Sequence, residues 1–405
     1  MWPDLPPDVL PEMLHADFWL GRVPNPDAPI LVPEQRAAFD AHVAERIGVP
    51  PVWTLSDEVS AEQVRDELAR YAPLQTPRYG YDGRLVSADA FRAQLARAVP
   101  ELPARVRVRF GLTVRRTDVR AWPSGGLLTS EPFAYALNRV QETTVDVGQP
   151  VAAVLHSRDG RWLFALTPHY WGWLAADAVA WGTREQVAAY AQPTDFLVTL
   201  APRGLVATAW GGLVPQMGTR LPLAGEDAAA WRVRVPLREP DGVLSFAEGY
   251  VSRAAGHFAR GYLSPTPRNV LVQAFKLLGE PYAWGGSRLG IFGRDCSRLV
   301  QDVYATMGVH LPRNAAQQKD VCRSLIAFTP EMRADVRRSA LAERATVGAL
   351  LELPGHVMLY LGHVHGQPYV LHDTLSVPYA GVIVSTLALG EPPLLERLRQ
   401  AVQVG

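Results

Sequence analysis

The chemistry most readily read from this 405-residue sequence is that of a thiol working with imidazoles. Cys296 follows a loop containing Gly285, Gly286, Gly290 and Gly293, and stands between Asp295 and Ser297. Behind it Leu299, Val300, Val303, Tyr304 and Met307 recur at helical spacing, with Gly308 as a C-terminal stop. A cysteine in the first turn of a helix feels the positive end of the helix dipole, which favours the nucleophilic thiolate. The free N–H groups at such a helix start can also hold an oxyanion. Taken alone, a cysteine in phase with an apolar stripe is more often a small buried hydrophobe. The glycine loop, the polar neighbours and the histidines downstream reverse that weighting.

Those histidines lie in G-H-V-M-L-Y-L-G-H-V-H-G-Q-P-Y-V-L-H-D, residues 355–373. His356, Met358 and Tyr360 share one face of a strand, and Val357, Leu359 and Leu361 the other. A hairpin centred near Val364 sets His356 opposite His372, so that one imidazole acts as base and the other orients it. A two-residue turn at His365-Gly366 instead puts the two on opposite faces unless a bulge corrects the register. His363 and His365 read as turn residues rather than a metal pair. His15, His42, His156, His169, His257 and His310 have no constellation and read as surface or core residues.

Four regions must carry these residues. Residues 1–104 read as a Pro-rich, irregular start followed by helices. One helix opens at Val32-Pro33-Glu34 and ends near Gly48. A second follows the Ser60/Gln63 capping box, with Val64, Leu68 and Tyr71 at helical spacing, and a third follows Ser87. Residues 105–183 begin with alternating Arg105, Val106, Arg107, Val108, Arg109 and Phe110. They continue with a hairpin turning at Asp159-Gly160, so they read as a small barrel. Residues 184–253 repeat that texture as a second barrel. Residues 254–405 start with a helix capped at Thr266-Pro267 and later alternate like an antiparallel sheet, which points to α+β.

Bulk composition narrows the field. Forty basic and forty acidic residues give zero formal charge, so no polyanion partner such as nucleic acid is indicated. No run of 18 apolar residues predicts a membrane span, and Met1-Trp2-Pro3-Asp4 does not read as a signal peptide. The protein therefore reads as cytoplasmic, or as an envelope protein whose export signal has been removed. The two cysteines, Cys296 and Cys322, make no zinc pattern, and a disulfide between them is the lesser reading. No cofactor or metal is called for, and oligomeric state is silent.

Several phrases together resemble the NlpC/p60 cysteine peptidases: Y-A-W-G-G, D-C-S, M-G-V-H-L-P-R with Gln317 or Gln318, G-H-V-M-L-Y-L-G and a later H-D. They come in the family's order over about the last 150 residues. The resemblance implies a papain-like α+β domain with Cys296 as nucleophile, His356 as base and His372 as orienting residue. It implies that Tyr282 supports the oxyanion site and that Trp284 lies against substrate. The whole chain resembles a subgroup with a helical N-terminal region and two bacterial SH3-like barrels before the peptidase. Members cut peptidoglycan stem peptides between D-γ-glutamate and the diamino acid and prefer a free N-terminal L-alanine. The resemblance assigns that amine to Asp295 and Ser297, whose chemistry suits a cation, and Asp295 can cap the helix at the same time. Tyr170, beside Trp171 and Trp173, is a candidate substrate contact from the first barrel. Arg298 stands where many relatives have glycine, and a long cation there narrows the cleft or pairs with a substrate carboxylate. The rival readings are an inactive wall-binding adaptor and a Cys-His amidase or acyltransferase.

Overall fold

The computed structural model describes residues 5–70, 78–288, 290–376 and 378–405. Met1 to Asp4 and the expected helical position Tyr71 lie outside the described residues. The Pro-rich start is more ordered than its composition suggests. It forms a 3-10 turn, Pro11–Leu14, and a short helix, Ala16–Leu20. Trp19 is fully buried and meets Tyr369 at 5.4 Å, while Val9, Met13, Leu20, Leu31 and Phe39 join the same core as the Cys296 helix. The first forty residues thus cover the C-terminal domain across more than two hundred residues of intervening chain.

The next helices start where their caps predict. Pro33–Ile47 ends at Gly48 with φ 69°, Ala61–Ala69 is capped by Ser60 with Gln63, and Ala88–Ala98 is capped by Ser87. The alternating segment after residue 104 is split. Arg105–Arg107 pairs with Glu58–Ser60 in a two-stranded ribbon, and only Arg109–Thr113 enters the first seven-stranded antiparallel sheet. The hairpin of Pro150–His156 and Trp162–Leu166 belongs to that sheet. A helix the alternation did not suggest, Arg184–Ala191, separates the two barrels; Thr183 and Gln186 form its capping box. The second seven-stranded sheet includes Phe258–Arg260, which pairs with Phe196–Thr199. Among the described residues no helix is long and apolar enough to cross a membrane.

The C-terminal domain is a six-stranded antiparallel sheet in the order Arg323–Ala327, Gln400–Gln403, Leu350–Leu353, His356–Val364, Gln367–Thr374, Gly381–Thr386. Strand alternation divides its side chains between two cores. Val357, Leu359, Leu361, Leu371, Val382 and Val384 meet Leu299, Val300, Val303 and Tyr304 of the Cys296–Ala305 helix. Met358, Tyr360 and Val370 meet Leu341, Leu395 and Leu398 on the other side. Each such fully buried aliphatic side chain contributes roughly 1.5–3 kcal/mol, so the Cys296 helix is fixed against the sheet by its own apolar stripe. This is the expected α+β arrangement.

Candidate active site

The loop before Cys296 is shaped by close approach to the first barrel. Gly285 and Gly286 take φ of 61° and 80°. A Cβ on Gly285 would stand 2.7 Å from Gln141 Cγ, and one on Gly286 would stand 2.7 Å from Thr144 Oγ1. Only glycine allows both the left-handed backbone and this contact. The Trp284 indole N–H donates to Gln141 O at 3.1 Å, so its polar edge ties the loop to the barrel.

Asp295 caps the helix by accepting from Arg298 N at 2.9 Å. Its Oδ1 also accepts from Ser297 Oγ at 3.2 Å and Arg313 Nη1 at 3.0 Å. Its Oδ2 accepts from Gly285 N at 3.0 Å and Arg313 Nη2 at 2.6 Å. Arg313 further donates to Ser297 Oγ at 2.8 Å and to Thr143 Oγ1 of the first barrel at 2.7 Å. Burial works to raise the Asp295 pKa, but the Arg313 guanidinium and the backbone N–H groups outweigh it and hold the carboxyl below its ordinary value. Asp295 and Ser297 are therefore both engaged by Arg313 in this structure.

Cys296 opens the helix with 6% of its surface exposed, and it and Cys322 are both free thiols. Burial first, and then the Asp295 charge, push its pKa up to about 12; the Val357 N–H acts in the opposite sense. The thiolate expected from the helix dipole is thus overridden, and the resting thiol is neutral. His356, the residue before Val357, has its pKa lowered to about 4 by burial and by Arg397, against the opposing influence of Asp295. Its Nε2 lies 2.8 Å from His372 Nδ1, and His372 Nε2 lies 3.1 Å from Ser385 Oγ. If each Nε2 carries its proton, Nδ1 of His356 is left free to accept one. Burial and the neighbouring His356 keep His372 neutral.

The two histidines share a face through a bulge. The turn is the two-residue one at His365-Gly366, with Val364 opposite Gln367, and the register shifts between Tyr360 and Gly362. Leu359 then pairs with Leu371, so His356 and His372 are diagonal neighbours rather than the directly opposed pair of a Val364-centred hairpin. His365 is a turn residue with φ 49°. His363 is instead in the strand and bonds the Tyr360 hydroxyl.

The Tyr282 phenol is buried near Cys296; burial, Cys296 and Asp295 raise its pKa, leaving a neutral O–H. Tyr170 reaches from the first barrel to Asn314 Oδ1 at 3.4 Å, and burial keeps it protonated. Trp173 is fully buried and Trp171 stacks on Phe164 at 5.7 Å, so these two pack the barrel. Arg298 does not reach for a ligand. It donates to Asp302 Oδ1 at 2.6 Å and Thr144 O at 3.1 Å, and approaches His169 Nε2 at 3.5 Å. It takes up a joining role between helix and barrel.

Five further residues belong to this constellation. Arg313 stood in the L-P-R phrase without a role. Gln318, rather than Gln317, is the buried glutamine and donates to Ser297 O and Pro312 O, both at 2.9 Å. Ser385 extends the histidine chain. Asp373 is buried beside the site with neither oxygen bonded among the described residues, and burial with Asp295 and Glu280 nearby raises its pKa, favouring the protonated form. Glu142, on the first barrel's strand Gln141–Val145, is pushed up to about 7 by burial, with Arg313 opposing. It acts on Tyr170 and forms no ion pair or side-chain hydrogen bond among the described residues. An alternating strand carries no mark that separates Glu142 from any other polar position.

Two SH3-like sheets packed against a papain-like domain define the class of protein. Residues 279–388 match the NlpC/P60 family, and residues 131–175 match an SH3 domain of the SH3b1 type. The chain thus carries an NlpC/P60 domain at residues 279–388. It is 27% identical over 222 residues to a gamma-D-glutamyl-L-lysine dipeptidyl-peptidase of Bacillus cereus (strain ATCC 10987 / NRS 248). That match covers 50% of this chain and 60% of the relative. A bifunctional muramidase/DL-endopeptidase CwlT of Bacillus subtilis (strain 168) is 45% identical over 56 residues, 14% of this chain and 17% of the relative. The chain thus spans less than two thirds of either relative. An NlpC/P60 endopeptidase from Photobacterium damselae subsp. piscicida shares the fold, with TM-score 0.71 over 94% of this chain and 93% of its own at 14% identity. An NlpC/P60 family protein from Bacillus cereus ATCC 10987 aligns over 73% of this chain and 99% of its own, with TM-score 0.53 and 19% identity.

Proposed function

We propose that this protein is a cysteine endopeptidase that hydrolyses the γ-D-glutamyl–diamino acid bond of peptidoglycan stem peptides. The observation that carries the reading is the buried thiol at a helix start, on which the Val357 N–H acts, with the adjoining residue His356 held by its Nε2 2.8 Å from a second imidazole. His356 removes the thiol proton as Cys296 attacks the carbonyl, because neither group is charged at rest. The Tyr282 hydroxyl and the helix-start N–H groups receive the oxyanion. Imidazolium His356 then protonates the leaving amine, and water releases the acyl enzyme.

Preference for a free N-terminal L-alanine needs an anion for its ammonium group. Asp295 has its oxygens taken by Arg313, Ser297, Gly285 and Arg298. We therefore assign the amine to Glu142, with Tyr170 beside it, and give Asp295 and Ser297 the task of fixing the floor of that pocket. The B. cereus relative's name, which specifies a γ-D-glutamyl-L-lysine bond, supports the substrate class.

The test is Cys296→Ala against L-Ala-γ-D-Glu-diamino acid tripeptides, with products identified by mass spectrometry. Cleavage is expected to vanish while the circular dichroism spectrum is unchanged. Continued cleavage by that variant overturns the assignment, and release of a different acyl product by the wild type favours the amidase alternative.

A further inference from the structure

A cavity lies between the first barrel and the glycine-rich hairpin, away from the histidines. Its volume is about 300 Å³, and Arg115, Arg116, Arg120, Asp118, Gln141 and Phe292 are among the residues that line it. Arg116 is 93% buried by its 7% exposure and sits over the Phe292 ring at 4.9 Å. Its Nη2 donates to Thr144 Oγ1 at 3.0 Å, Gly286 O at 3.2 Å and Gly293 O at 3.0 Å. Its Nε and Nη1 are buried and have no hydrogen-bond partner among the described residues. No carboxylate forms an ion pair with it among the described residues; Asp146 and Asp302 act on it only from a distance.

The neighbouring charges do not supply a counter-ion. Arg120 also leaves its Nε unbonded, and its pairing with Asp118 is loose at 3.7 Å. Among the described residues Asp118 is the one acidic residue on the lining, against three arginines. Burial raises the pKa of Asp118, which weakens it as an anion. Arg115 pairs with Asp177, which is three-quarters exposed and off the lining. A buried guanidinium without a counter-ion is costly, and its forked N–H groups match two oxygens of one group.

We infer that this cavity is an oxyanion site, built by Arg115, Arg116 and Arg120 to take a carboxylate or a phosphate. Arg116 already clasps the carbonyls of Gly286 and Gly293, the two arms of the loop leading to Cys296. An anion in the cavity that draws on the Arg116 guanidinium is therefore coupled to that loop.

The experiment is calorimetric titration of the full chain with inorganic phosphate and, separately, with glutarate. Chloride at matched ionic strength is the reference. One saturable site is expected; the anion that fills it identifies which oxyanion the cavity takes. Arg116→Met is expected to abolish saturation. Arg115→Gln, on the exposed rim, is expected to weaken binding about tenfold without threatening the fold. The inference is overturned if neither anion binds saturably up to tens of millimolar. It is equally overturned if Arg115→Gln and a folded Arg116→Met both titrate like the wild type.

Discussion

Replacing Arg313 by methionine tests how the first barrel and the catalytic domain are joined at the nucleophile. The change removes four hydrogen bonds: two to Asp295 at 3.0 and 2.6 Å, one to Ser297 at 2.8 Å and one to Thr143 at 2.7 Å. Asp295 is left buried with a charge and no guanidinium. Breaking such a pair from one side costs about 3–5 kcal/mol, far more than an exposed pair would. The loss should depend on pH. In the wild type Asp295 is held below its ordinary value of 3.8, so its contribution is present above that pH and is lost as pH falls through the lower folded value. In the variant, burial is opposed only by the Arg298 and Gly285 N–H groups, so the folded value rises above that of the wild type and less of this contribution remains at neutral pH. The gap between the two proteins is therefore widest at neutral pH and narrows toward about pH 3. Urea unfolding read by tryptophan fluorescence and by circular dichroism measures it, coincident curves licensing a single transition. Adding Asp295→Asn should restore about 1 kcal/mol or more through coupling. A loss under about 1 kcal/mol at neutral pH, or the same loss at both pH values, refutes the reasoning.

Other expectations follow from the same geometry. In a Cys322→Ser background, alkylation of Cys296 by iodoacetamide should climb about tenfold per pH unit up to about pH 9 without levelling, because burial and Asp295 hold the thiol up to about 12. A plateau that begins in acid would instead reveal a thiolate–imidazolium pair. His372→Ala should lower kcat about a hundredfold with KM little changed, since it removes the group that orients His356; unchanged kcat denies it that role. Glu142→Gln should raise KM about tenfold for free-amine peptides and leave N-acetylated ones alone. In the wild type that KM should rise as pH falls through about 7, where the Glu142 carboxylate takes up its proton. A KM flat across that window, or equal effects on both peptides, removes Glu142 from amine binding.

What the sequence carried were the features set by local pattern. Cys296 at a helix start, two histidines on one sheet and the capped helices after Val32, Ser60, Ser87 and Thr266 all follow from spacing and cap chemistry. The helix Arg184–Ala191 was within reach by the same rule, since Thr183 and Gln186 spell its capping box. The histidine register was harder. Side-chain direction along a strand has a period of two, so the single bulge between Tyr360 and Gly362 decides whether His356 and His372 meet. Residues whose roles depend on distant chain segments left no local trace. Trp19 is buried against Tyr369, Arg313 joins Asp295 to Thr143 of the barrel, and Glu142 is brought near Arg313 only across the barrel–peptidase seam.

The thiol shows why position alone could not give reactivity. A helix start favours an anion by about 0.3–1 kcal/mol, less than one pKa unit at about 1.36 kcal/mol each. Burial with the Asp295 charge moves Cys296 from 9.0 to about 12, in the opposite direction and several times farther. The same Asp295 that caps the helix therefore offsets the dipole it caps. On the proposed mechanism, activation comes during attack, by proton transfer to an imidazole that burial favours as neutral, so the His356–His372–Ser385 chain is expected to matter more than the helix on which the thiol stands.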